Sequence, residues 1–158
     1  MKIFTLQPNE NWIVDHMADE WRSFSHPDLE HVNSPYNADI IWGLADWVWN
    51  KIPYQLLQSK TVVMTVHHIV PEKFENLPAE KEFHIRDAIV DFYHVFNEHT
   101  KKYLIEHCKI NSSRIVLIPY WCNDKFWKKI NKQDARRELG LSRDAFIIFS
   151  AQRDSEGH

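Results

Sequence analysis

The stretch Thr61-Val62-Val63-Met64-Thr65-Val66-His67-His68-Ile69 decides how the chain is read. Its first six residues are apolar or β-branched without alternation, the pattern of a strand buried on both faces in the middle of a parallel sheet. The run ends in two imidazoles and then Val70-Pro71-Glu72-Lys73, which cannot continue a central strand. In an open α/β sheet, ligands bind in the crevice beyond the carboxyl ends of the strands. A histidine there titrates near neutrality and can donate, accept or bind an anion. His67 is therefore the first candidate site residue. His68 points to the opposite face if the strand persists, and is the second.

Working outward, residues 2–7 read as a first strand, and Pro8-Asn9-Glu10-Asn11 breaks it and supplies helix-capping residues. Trp12, Ile13, Met17, Trp21 and Phe24 then recur at helical spacing. A weak second strand is expected over 29–33 and a third over 39–43. A Trp-rich helix follows over about 45–59, interrupted by Pro53. Residues 71–79 read as a connection and 80–89 as a short helix. Strands follow at 91–96, 114–119 and 145–150, with helices from 97 to about 107 and over 134–140, the last closing on Gly140. Strands alternating with helices predict an α/β, Rossmann-like, doubly wound parallel sheet. The strand at 145–150 is oddly placed, because the covering helix it needs does not follow. It lies on an edge, or the sequence is the front part of a longer protein; the second reading is the expected one.

Composition narrows the classes. The 158 residues are about one domain's worth, with seven Trp, nine Phe and five Tyr but only three Gly. That aromatic content speaks against disorder, and the scarcity of Gly against a Gly-rich phosphate loop. The formal charge of −3 gives no general basic footprint for nucleic acid. Cys108 and Cys122 lie outside any metal spacing and read as reduced thiols of a cytosolic protein, with one disulfide as the alternative. No run approaches the ~20 apolar residues of a membrane span, and the first residues read as a strand, not a signal peptide. Ten histidines invite a metal reading, but no His-x-x-x-His or Cys/His cluster supports one, so no metal is expected. Lys101-Lys102 and Lys128-Lys129 read as solvated faces; peripheral contact with an anionic membrane surface is the alternative.

Three segments, in order, resemble the N-terminal half of retaining GT-B-fold glycosyltransferases, the large nucleotide-sugar family four (glycosyl transferases group 1). Thr65-Val66-His67-His68 is similar to that family's strand ending in Thr-x-His-Asp. The passage from Phe96-Asn97-Glu98-His99-Thr100 through Arg114-Ile115-Val116-Leu117-Ile118-Pro119 to Asn123-Asp124-Lys125-Phe126 resembles its capped helix and the segment that closes its first domain. Arg136-Arg137-Glu138-Leu139-Gly140-Leu141, with 146–157, resembles the linker helix and the opening strand and loop of its second domain. The family often has a Gly-rich loop after its first strand, where this chain has Gln7-Pro8-Asn9-Glu10-Asn11.

The resemblance implies an acceptor-side domain over 1–130 and the start of a nucleotide-sugar-binding domain over 131–158, whose remainder is missing. It implies transfer of a sugar from a nucleotide-sugar donor to a hydroxyl acceptor with retention. His67 then stands where the family keeps a functional histidine, able to bond a sugar hydroxyl or steady phosphate charge. His68 and Asn97 become substrate-binding candidates, although Asn97 is by location a helix N-cap first. Arg153 is placed to meet the donor diphosphate with its planar, permanently charged fork. Gly157 would allow close backbone approach to phosphate. Trp12, Trp42, Trp47 and Trp49 read as packing, with stacking on an acceptor sugar as the alternative. A non-catalytic glycan- or protein-binding half-domain is the rival reading.

Overall fold

The computed structural model describes residues 1–69, 77–121, 123–125 and 127–148. It divides into two compact units, Met1–Trp121 and Cys122–His158. The first unit contains β1 (Lys2–Leu6), α1 (Ile13–Phe24), β2 (Glu30–His31), β3 (Ile40–Gly43), α2 (Tyr54–Gln58), β4 (Thr61–Val66), α3 (Leu77–Asp87), β5 (Phe92–Val95), α4 (Glu98–Glu106) and β6 (Ile115–Leu117). The six strands form one sheet in the order β2-β1-β3-β4-β5-β6, and every pairing is parallel. The fold is thus the expected α/β, Rossmann-like doubly wound sheet. The central strand spans the six residues read from the sequence. The strand order reverses between β1 and β3, the switch point of an open α/β sheet.

Side-chain alternation divides the sheet into two faces. Ile41, Val62, Met64, Tyr93 and Val95 point one way and are at most 1% exposed. Leu57 of α2, Phe83 of α3 and Leu104 of α4 join them in one hydrophobic core. Gly43 belongs to this face because a Cβ there would run into the sulfur of Met64 on the next strand. The opposite face is served by α1, whose Trp21 meets Trp42 edge-on at 4.6 Å. Beyond α1 that face stays open, with Phe92, Val116 and Ile118 all exposed. Right-handed crossovers account for this division. The chain moves one way through β1-α1-β2 and the other way from β3 to β6, so later helices stack on the face α1 leaves free.

Two expected elements are corrected. The Trp-rich helix over 45–59 is replaced by a 3₁₀ turn at Trp49–Lys51 and the five-residue α2. Pro53 is the cause: it holds Ile52 extended (φ −118°, ψ 140°) and sits at the N-cap of α2. Residues 145–148 form no strand, and Phe146 and Ile148 are 90% and 86% exposed. Their apolar pattern has no neighbouring strand to pair with among the described residues of the second unit. That unit's helix α5 (Lys132–Glu138) is capped by Asn131, and Gly140 follows it at φ 65°, a conformation that suits glycine. No helix among the described residues is long and apolar enough to cross a membrane.

Candidate functional site

His67 follows the last residue of β4 and sits at the carboxyl crest of the sheet. Its Nε2 lies 2.7 Å from the Leu44 carbonyl and its Nδ1 3.1 Å from the Tyr120 hydroxyl. A carbonyl only accepts, so Nε2 carries the proton and Nδ1 accepts the Tyr120 O–H. Burial pushes the His67 pKa down, against the opposing pull of the Leu44 carbonyl and the Asp46 charge, and His68 adds to the lowering. The ring is therefore neutral at pH 7 and fixed in one tautomer. Burial raises the Tyr120 pKa, which keeps the phenol protonated and donating.

Aromatic rings frame this imidazole. Phe96 lies 5.0 Å from it, Trp47 6.2 Å and Tyr120 6.2 Å between ring centroids, and Phe96 stacks on Tyr120 at 3.7 Å. The turn that supplies the Leu44 carbonyl is pinned from behind. Arg86 of α3, itself buried, donates to the Asp46 carbonyl at 2.9 Å and meets its carboxylate at 3.1 Å. A buried guanidinium that keeps both contacts holds the 44–47 backbone in place.

A second histidine lies beneath the crest. The Trp42 indole N–H donates to Thr65 Oγ1 at 2.9 Å, and Thr65 in turn donates to His94 Nδ1 at 3.1 Å. His94 Nε2 then donates to the Ile118 carbonyl at 3.1 Å. Every step has one donor and one acceptor, so the chain of bonds runs in a single direction across β3, β4 and β5. Burial lowers the His94 pKa, with the Ile118 carbonyl opposing it, so this ring too stays neutral.

The β1–α1 loop has a different chemistry. Asn9 and Asn11 adopt positive φ (59° and 55°), turning successive backbone N–H groups inward. Asn9 donates to Asp15 Oδ1 at 2.9 Å, and Glu10 and Trp12 donate to Oδ2 at 2.9 and 3.3 Å. Burial is the largest single influence on Asp15 and acts to raise its pKa. The N–H groups of Asn9, Trp12, Glu10 and Asn11 together outweigh it and hold the carboxyl below its ordinary value. The concavity that could cradle an external anion is filled by the chain's own carboxylate.

No protein-family model and no curated protein matches the chain.

The expected site residues are placed as follows. His67 is half-buried at the crest and His68, next to it, is exposed. Asn97 caps α4, its Oδ1 accepting the Thr100 N–H at 2.8 Å. Arg153 and Gly157 lie outside the described residues. Sequence reading missed His94, Tyr120 and Asp15. His94 carried a signal, a histidine inside an apolar strand, and its register partner is Thr65. Tyr120 and Asp15 carried none, because their roles depend on backbone geometry reached only in the fold.

Proposed function

We propose that this chain is the acceptor-side half of a glycosyltransferase that moves a sugar from a nucleotide-sugar donor to a hydroxyl acceptor with retention. The observation that carries the reading is the crest itself: a neutral imidazole of fixed tautomer among Trp47, Phe96 and Tyr120. Aromatic faces stack on the apolar faces of sugars, and a neutral histidine accepts a hydroxyl proton without attracting bulk anions. The Tyr120 hydroxyl holds the place on Nδ1 that an acceptor hydroxyl takes when it binds. Asp15 filling the first loop supports the same division of labour, since the donor diphosphate then belongs elsewhere, with Arg153 and Gly157 as its contacts. On this reading the protein is cytoplasmic, peripheral to a membrane at most, and needs no metal cofactor.

A non-catalytic glycan-binding half is the second reading, favoured by one fact: both His67 nitrogens are already bonded. Nucleoside diphosphate release by the native polypeptide separates the two. His67→Ala is expected to lower turnover by ~10²-fold with little change in melting temperature. Full activity in a normally folded His67→Ala protein would remove this residue from the site, and glycan binding without any turnover would establish the second reading.

A further inference from the structure

Ile118 stands one residue past the end of β6, and a side chain holds its carbonyl: His94 Nε2 donates to it at 3.1 Å. The Ile118 N–H in turn donates to the Val95 carbonyl at 3.0 Å. Both backbone groups of Ile118 are therefore tied to β5. Pro119 comes next, with φ confined to about −65°. Few free rotations remain between that anchor and Tyr120, whose hydroxyl meets His67 Nδ1 at 3.1 Å.

The side chains run parallel to this backbone route. His94 is buried and lies two residues before Phe96, so the two point to the same face of the sheet. Their rings meet edge-on at 4.5 Å, and Phe96 stacks on Tyr120 at 3.7 Å with the planes only 6° apart. The His94 ring thus lies against the ring that supports Tyr120. Tyr120 itself is 55% exposed, so burial does not fix its place; the stack and the backbone anchor do.

An imidazole suits this position chemically. The residue must accept from the Thr65 hydroxyl on one edge and donate to the Ile118 carbonyl on the other. A neutral imidazole does both, whereas the aliphatic residue that a buried strand favours does neither. Burying a polar ring costs free energy unless its hydrogen bonds are made, and here they end on the carbonyl that anchors Tyr120. We propose that His94 is a positioning residue of the crest: through the Ile118 carbonyl it holds the Tyr120 hydroxyl on His67 Nδ1, the atom an acceptor hydroxyl takes over on binding. The hold is a property of the free protein; its use in catalysis rests on the acceptor-side reading of His67. A purely structural His94 would stabilise the sheet and leave the His67 ring unaffected.

The test reads both His67 ring nitrogens by long-range ¹H–¹⁵N correlation at about pH 8, where the ring is neutral. Tyr120→Phe, at an exposed position, removes the hydroxyl and should displace the Nδ1 resonance, which supplies the reference. His94→Phe keeps a ring against Phe96 but loses the donor to Ile118, and should displace Nδ1 in the same direction by a comparable amount. Nε2 should stay near its native position in both, because the Leu44 carbonyl belongs to the turn pinned by Arg86. In a Tyr120→Phe background, His94→Phe should have no further effect on Nδ1. His94→Asn, which keeps a polar group beside Thr65 but is too short for Ile118, repeats the test should His94→Phe not fold. His94→Gln reaches the carbonyl and should restore the native resonance. A native Nδ1 resonance in folded His94→Phe or His94→Asn, a displaced one in His94→Gln, or an additive double variant would each overturn the proposal. The intact coupling without nucleoside diphosphate release by the native polypeptide would count against the transferase reading alone.

Discussion

Val62 and Val63 are neighbours on one strand, yet one is fully buried among α2, α3 and α4 and the other lies half-buried on the face those helices leave open. The covered face is held chiefly by shape: aliphatic and aromatic side chains in mutual contact, with the Tyr93 hydroxyl satisfied by Asp87 at 2.9 Å. The open face is held partly by direction, through the Trp42–Thr65–His94–Ile118 chain of hydrogen bonds. Apolar packing tolerates substitutions of similar volume, whereas a directional chain fails when one link is removed. The interior histidine, His94, is therefore positioned by the less forgiving face.

The largest expected effect tests this difference directly. Val62→Ala removes buried carbon and leaves a cavity, and should cost about 2–3 kcal/mol. Val63→Ala, the same chemical change on the open face, should cost under ~1 kcal/mol. Urea unfolding of the two variants measures both. Similar losses for the two would mean that the open face is as well packed as the covered one.

Thr65→Val sharpens the comparison from the polar side. It keeps the volume but deprives the Trp42 N–H and His94 Nδ1 of their shared partner, at an expected cost of about 1–2 kcal/mol. His94 should also lose its fixed tautomer, visible as a changed ¹⁵N pattern of its ring. A neutral substitution with an unchanged His94 spectrum would show that the chain of bonds does not position that ring.

The sheet was legible in the sequence because its strands carry uninterrupted β-branched and apolar runs that only a buried parallel strand explains. Thr61–Val66 is the clearest, and its end marked His67 as a crest residue. What escaped depended on partners remote in sequence or on backbone turns. Leu44 and Tyr120 fix the His67 tautomer, and neither is marked by any local pattern. The β1–α1 loop was read for the glycines it lacks, but its function follows from Asn9 and Asn11 at positive φ, a role that asparagine also tolerates. The apolar run misled over 145–148, with 149 and 150 outside the described residues, because periodicity describes what a strand would bury and says nothing of whether a neighbour exists to pair with it.

The smallest effect concerns acid, and its sign follows from the shifts. His31, His67 and His94 have lowered pKa values in the fold, so the unfolded chain binds protons more readily than the folded one once pH drops below the ordinary histidine value of ~6.5. Their contribution to stability is present above that value and is lost as pH falls through the folded ones. Asp15, also lowered, contributes above the ordinary carboxylate value of ~3.9 and loses that contribution at lower pH. Melting temperature should therefore decline in two stages on acidification, the first belonging to the imidazoles and the second including Asp15. Asp15→Asn should destabilise the protein by about 1 kcal/mol or more at neutral pH, since the amide has one accepting oxygen where the carboxylate uses two, and its NH2 cannot accept from the N–H groups left facing it. The same variant should flatten the second stage while leaving the first intact. An Asp15→Asn protein with the wild-type acid profile would show that the filled loop is not what holds that carboxylate ionised.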